Sequence, residues 1–520
     1  MAHIAKLSNR GLANLESSPV NGLEDDVHRL PSYDPEACPD GLIDLSGAVN
    51  TLMGDVVAKQ MDDFAQNYSL HNATSYGPVT GPKGSENDEL SRVVAGFVNR
   101  HFEPAHPVQT EEVIVTNGVS ALIDLVAFNL CDVGEGVLVL VPTYSMFKTD
   151  LCARAGLEVV KVSTVDIPDQ FSAQCSSQVV SKLEEAVGAC RKQGIKAKAM
   201  LLCNPCNPCG RSYSKETLLA LARFCGRHRL HLLSDEIYAM SSFDSPDSAL
   251  DTFSSVLSIP DDPAYSVFGE NIHCMYGASK DFAAGGLRLG FLITRSQLLW
   301  KTCRRLCLFT WVATFPTAFF THFLSNDKAV EDYLALYRKR LRESYVGASA
   351  ALRHYKIPFE PANSGMFFLI KLTQWLRYFD GPKGESRETE LSRYLAFAAR
   401  VFMSMGEVRS FQRTTVKHQD KKTAKNAKLS FSPVPGCFRF VHAAGDSHMI
   451  GLAILRLSQA LGKLEAGPVF GETEAPPTPS TLSNASCSVL DEKSLQAQGL
   501  EIKPSGFRSV WQLLSCTRDE

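Results

Sequence analysis

The segment SKDFAAGGLRLG (279–290) sets a lysine after an apolar run, with a glycine pair and then an arginine eight residues beyond the lysine. At the mouth of a sheet, with its amine partly out of water, Lys280 would be nucleophilic near neutral pH and able to condense with a carbonyl. Arg288 would return to pair with a phosphate, whose charge and shape suit a guanidinium. Gly285 and Gly286 would let the backbone turn tightly between them. Taken alone, the segment is better explained as a surface lysine after a strand.

Its neighbours change that. SDEIYA (234–239) ends another apolar run and puts Asp235 at a strand's carboxyl edge, where open sheets bind ligands. A buried aspartate there would pair with a ring nitrogen and keep it protonated, and Tyr238 would hydrogen-bond a ring phenol. In NPCNPCG (204–210), Asn207 would donate to the same phenol oxygen and stabilise its ionised form. TNGVSALIDL (116–125) is a strand end, a glycine and a helix start, so the N–H groups of Val119 and Ser120 and the Ser120 hydroxyl would face a phosphate. Tyr144, in PTYSMF (142–147), would stack on an aromatic ring. Arg439, in FRF (438–440), would clamp a substrate α-carboxylate in a bidentate pair. A carbonyl, a phosphate, a phenol and a pyridinium on one molecule describe pyridoxal 5′-phosphate (PLP). Two other readings compete. Asp235 and Glu236 are a possible metal pair, but no His or Cys stands at ligand spacing nearby. Cys203, Cys206 and Cys209 have iron–sulfur spacing, but the position for a fourth cysteine is Tyr213, and prolines interrupt the run. Free cysteine also serves as a small apolar residue.

These residues need a scaffold. Apolar runs at 112–117, 136–142, 198–205, 230–236, 271–279 and 290–294 are expected strands. A helix over Val119–Leu130 and another from Lys215 to Arg229, N-capped by Ser214, alternate with them. That alternation predicts an α/β fold with a mostly parallel sheet covered by helices on both faces. At 520 residues the chain is too long for one core. We expect a polar, partly disordered arm over 1–40, the N-terminal part of a small domain over 41–75 and a large domain over 76–330. The rest of the small α/β domain follows over 331–465, opening with a long amphipathic helix. Residues 412–428 carry six basic residues against one acid and read as a solvated inserted loop; 466–520 are Pro/Ser/Thr-rich and expected to be disordered. A net charge of -3 argues against nucleic-acid binding. The first twenty residues lack the apolar core of a signal peptide, and no run is long enough to span a membrane. The expected compartment is therefore the cytoplasm, with the fifteen cysteines reduced.

In order and spacing, GLIDLSGAVN (41–50), SYGPVTG (75–81), TNGVS, PTYSMF, NPCNPCG, SDEIYA, YGASKDFAAGGLRLG (276–290), NSGMFF (363–368) and PGCFRF (435–440) resemble the PLP-dependent class I/II aminotransferases. Within that family the likeness is to the 1-aminocyclopropane-1-carboxylate (ACC) synthase-like branch, its fungal members in particular, from about residue 40 to 460. The resemblance implies PLP fold-type I, a Schiff base on Lys280, and a homodimer in which Tyr76 reaches the neighbouring subunit's cofactor phosphate. It also gives Ser279 a cofactor-binding role. Two positions depart from the pattern. The family's Ala-Glu-Asn reads Ala48-Val49-Asn50, so a cationic sulfonium substrate loses a carboxylate at Val49. A phosphate-binding serine reads Gly277. The expected activity is transamination of an L-amino acid with a keto acid as acceptor, in specialised metabolism. The alternatives are a carbon–sulfur lyase or other eliminating or cyclising enzyme, and a non-catalytic regulator on the same fold.

Overall fold

The computed structural model describes residues 7–9, 11–12, 22–76, 86–247, 250–381, 386–406 and 434–466. The basic stretch 412–428 and the tail from residue 467 lie outside them. The described residues all fall within one compact unit, 1–468.

Short runs of aliphatic and β-branched residues become strands where both faces can be covered. They are β1 (Ile43–Asp44), β2 (Val113–Thr116), β3 (Gly136–Val141), β4 (Glu158–Ser163), β5 (Ala197–Cys203), β6 (His231–Asp235), β7 (Ile272–Gly277) and β8 (Gly290–Thr294). Seven of them form one sheet in the order β2-β8-β7-β6-β5-β3-β4. Every residue of β2, β3, β7 and β8 is buried, as a sheet with helices on both faces requires. β4 was not anticipated. It lies at the edge, carries Glu158 and Lys161, and buries only Val162, so no apolar run marks it.

All strands of this sheet point the same way except β8, which runs antiparallel between β2 and β7. The reason is the connection: residues 278–289 between β7 and β8 contain a single 3-10 turn and no α-helix to carry a parallel crossover. That reversal brings the start of β8 to the edge where the other strands end.

Helix α1 (Val119–Leu130) follows β2 over the expected residues. Helix α2 (Ser176–Gln193) was missed, although Val179, Leu183, Val187 and Cys190 recur at helical spacing and are all buried. Helix α3 (Lys215–His228) starts where its cap predicts: the Ser214 hydroxyl accepts from Thr217 N at 3.1 Å. The long amphipathic run is one 28-residue helix, α4 (Asp327–His354), and α5 (Ser447–Glu465) closes the described chain.

After α4 come β9 (Phe367–Lys371), β10 (Val401–Phe402), β11 (Ser404–Met405) and β12 (Cys437–Val441). β11, β12 and β9 form an antiparallel sheet, while β1 pairs in parallel with β10, so residues near 43 join this C-terminal region. Part of the expected N-terminal arm has regular structure: a turn of helix over Gly22–Val27 buries Leu23 and Val27, four residues apart on one face.

Two glycines set the approach at the sheet edge. A Cβ on Gly290 would lie 2.6 Å from Gly118 C and 2.8 Å from Val119 N, so β8 and the start of α1 meet only because Gly290 has no side chain. We therefore expect Gly290→Ala to cost about 1–3 kcal/mol, the range for overpacking a tight core. The check is the urea unfolding midpoint; an unchanged midpoint contradicts this packing.

Candidate active site

The chain direction gathers the chemistry. β2 ends into Val119 and Ser120, β3 into Tyr144, β5 into Asn207, β6 at Asp235 and Tyr238, and β7 into Ser279 and Lys280. Arg288 arrives at the same edge from the other direction, two residues before β8 begins. Arg439 comes from the middle of β12. These ten residues line a single cavity of about 510 Å³.

Lys280 donates from Nζ to the Ala48 carbonyl at 2.7 Å, and the Asn50 amide donates to the Lys280 carbonyl at 2.9 Å. Burial lowers the lysine amine to about pH 8; the Arg439 and Arg288 charges push the same way, and Asp235 opposes them. Asp235 is buried and raised to about 7, because the loss of water outweighs the Ile237 N–H bond at 3.2 Å and the Lys280 charge. Burial also raises Tyr144 to about 12 and holds Tyr238 well above its ordinary range.

Arg439 is fixed on several sides. Nη1 donates to Asn207 Oδ1 at 3.0 Å, and Nη2 donates to the Ser46 carbonyl and, at 3.4 Å, to the Ser404 hydroxyl. The Phe367 ring lies 5.4 Å from its guanidinium carbon. With its oxygen taken by Arg439, the Asn207 amide has its nitrogen left as the donor to the cavity, and that nitrogen makes no hydrogen bond among the described residues.

At the other end, α1 begins at Gly118 with no side-chain cap, so its first-turn N–H groups are unspent. Gly118 has φ 115°, and a Cβ there would lie 3.1 Å from the Arg288 guanidinium carbon, so the glycine makes room for that arginine across the helix start. Ser120 and Arg288 are the solvent-exposed members of this end.

Of the expected site residues, Val49 and Tyr76 do not line this chain's cavity; Tyr76 was expected at the neighbouring subunit's cofactor. Val49 is 61% exposed, and its neighbour Ala48 faces Lys280 instead; the glutamate-to-valine change therefore lies on the surface of this chain. Tyr76 is 93% exposed, stacked on Trp311 with ring centroids 5.5 Å apart. Gly277 is buried in β7, where a Cβ would meet the Leu289 carbonyl at 2.6 Å, so a serine has no room there. Conversely, Glu24, His28, Ser46 and Ser404 line the cavity without having been anticipated. The first two sit in a segment read as a polar, partly disordered arm, where the Leu23/Val27 spacing was the available signal. Ser46 accepts from Arg439 through its carbonyl and Ser404 through its hydroxyl, contacts across the chain that no local pattern shows. Among the described residues no group of three or more His, Cys, Asp or Glu is arranged to hold a metal. The Cys203 thiol donates to the Pro205 carbonyl, and Cys206 to the Pro142 carbonyl.

The family pattern for aminotransferase class I and II matches residues 42–428. The chain belongs to that family. It is 28% identical to 1-aminocyclopropane-1-carboxylate synthase 6 of Oryza sativa over 68% of this chain and 65% of that protein. It is 34% identical to a probable aminotransferase of Aspergillus fumigatus over 55% of this chain and 64% of that protein. Both matches thus span just under two thirds of the relatives' own lengths. An aspartate aminotransferase of Thermus thermophilus has the same fold, with a TM-score of 0.64 over 88% of this chain and all of that one, at 20% identity. The fold is PLP fold-type I, and the cofactor is pyridoxal 5′-phosphate.

The cavity fits that cofactor. A desolvated amine, a buried carboxylate whose described hydrogen bond is a single backbone N–H, an unspent amide donor and an uncapped helix start beside a guanidinium match its aldehyde, ring nitrogen, phenol and phosphate.

In protein stripped of PLP, Lys280 should acylate with a midpoint near pH 8, below the ~10.4 of an ordinary lysine side chain. Arg439→Gln removes a cation that disfavours the ammonium form, so its midpoint moves up. Peptide mass spectrometry across a pH series measures both; a Lys280 midpoint with the surface lysines contradicts the desolvated amine.

Proposed function

We propose that this protein is a PLP-dependent aminotransferase that acts on an L-amino acid, with Lys280 as both covalent anchor of the cofactor and proton carrier. The observation that carries the reading is the Lys280 amine, lowered to about 8 by burial and by Arg439 and lining one cavity with Asp235. A substantial fraction of that amine is neutral near physiological pH, as a general base requires.

In this reading Arg439 receives the substrate carboxylate, held rigid by Asn207, Ser46 and Ser404, so that the substrate Cα–H is presented to Lys280. Lys280, once displaced by the substrate amine, would take up the Cα proton at Nζ and hand it on to complete the amino-group transfer. Asp235 keeps a proton on the ring nitrogen. The Asn207 amide and the Tyr238 hydroxyl donate to the phenol oxygen, and Tyr144 covers the ring. Val119, Ser120, Ser279 and Arg288 hold the phosphate. When bound, PLP supplies the electron sink for the pair left at Cα.

The protein is further proposed to be a homodimer. Tyr76, 93% exposed against Trp311, and the exposed Leu308 and Phe309 nearby in sequence support a second copy on this part of the chain. Cytoplasmic location and a role in specialised metabolism belong to the same proposal. No helix among the described residues is long and apolar enough to cross a membrane, and the likeness to a probable aminotransferase of Aspergillus fumigatus supports the aminotransferase reading.

The test mixes PLP-loaded protein with amino acids, with and without 2-oxoglutarate. Loss of the visible absorbance band on adding amino acid, its return with 2-oxoglutarate and matching glutamate formation are expected. Ammonia, pyruvate or thiol released with no keto-acid requirement would make the protein an eliminating enzyme instead. Cofactor binding with no product of either kind would make it a regulator.

A further inference from the structure

The cavity has a second polar end that the reaction above does not use. The helical turn Gly22–Val27 is pinned by buried Leu23 and Val27, and this puts Glu24 and His28, one turn apart, on the cavity wall. His28 Nε2 lies 3.4 Å from Asp44 Oδ2, and its ring meets Phe402 edge-on at 6.2 Å. Asp44 in turn accepts from Ser46 N at 2.8 Å, and the Ser46 carbonyl accepts from Arg439. A continuous set of contacts therefore links the carboxylate-binding arginine to this rim.

Arg439 and Lys280 line the wall that receives the substrate carboxylate, with Asp235 acting on Lys280, whereas Glu24 lines the wall formed by the 22–28 segment, where Asp44 lies beside His28. The Glu24 carboxylate is half-buried and makes no hydrogen bond among the described residues. Burial raises its pKa, partly offset by His28, so the surroundings leave this acceptor short of a partner. Met403 and Met405 add apolar wall to the same cavity.

We propose that Glu24 is the specificity-determining residue of the substrate pocket, and that the preferred amino donor has an apolar stem ending in a cationic or N–H-donating group. With the α-carboxylate on Arg439, the substrate side chain extends towards Glu24. There a donor satisfies the carboxylate, while an apolar tip would desolvate it without a partner. His28 and Asp44 flank the site and set its position. The inference rests on the aminotransferase reading.

Lysine and norleucine, which differ by the terminal ammonium, are the probe pair. Single-turnover bleaching of PLP-loaded enzyme gives the rate constant over Kd for each. Wild type is expected to favour lysine or ornithine over norleucine by at least tenfold. Glu24→Gln should remove most of that preference, lowering the value for lysine and raising that for norleucine, and Glu24→Lys should shift it towards 2-aminoadipate. Thermal unfolding midpoints of both variants, expected at the wild-type value, check that they fold. A wild-type preference for norleucine, or equal losses on both substrates in Glu24→Gln, overturns the inference while the aminotransferase reading stands. No reaction with any amino acid sinks the parent reading and this inference with it.

Discussion

Lys280 has its amine out of water, one hydrogen bond from the Ala48 carbonyl, with a carboxylate opposing and two guanidinium groups reinforcing the cost of its charge. An amine in that position must be held by something stiffer than its own side chain. The turn that carries it is held through the next residue. Met240 N and the Tyr276 hydroxyl donate to the buried Asp281 carboxylate, at 2.9 and 3.1 Å, and the Tyr333 hydroxyl donates to the Asp281 carbonyl at 3.1 Å. Buried hydrogen bonds of this kind fix one geometry because each unmade partner is costly. The reactive lysine thus inherits its position from strand β7, the 236–241 loop and helix α4 together.

The sheet explains why the remaining groups converge. Strands that share a direction deliver their following loops to one edge, and this edge is where open α/β sheets bind ligands. The reversal of β8 adds Arg288 to that edge. Gly290 and Gly118 allow β8, α1 and the Arg288 guanidinium to pack more closely than side chains would permit. Arg439, from the separate sheet of β9, β11 and β12, closes the cavity through Asn207 and Ser46. The site therefore depends on contacts between parts of the chain more than two hundred residues apart.

The sequence made most of the cavity legible because strand-end motifs are local. Asp235, Asn207, Tyr238, Lys280 and Arg288 each follow or precede an apolar run that forms the strand, and α1 and α3 carry their start signals within a few residues. Non-local features were not legible. Edge strand β4 hides behind its charges, and the antiparallel β8 follows from a connection whose conformation the pattern does not state. Glu24 and His28 owe their place to two buried residues on a six-residue turn, in a segment whose composition reads as a polar, partly disordered arm. Val49, expected beside the substrate from the resemblance, is exposed in this chain, while the neighbouring Ala48 carbonyl faces Lys280.

The most direct test of the account is to load the protein with PLP, reduce it with borohydride and map the pyridoxyl-modified peptide by mass spectrometry. The account predicts one modified lysine, Lys280. Stoichiometric modification at another lysine, or none after PLP is supplied, would contradict it.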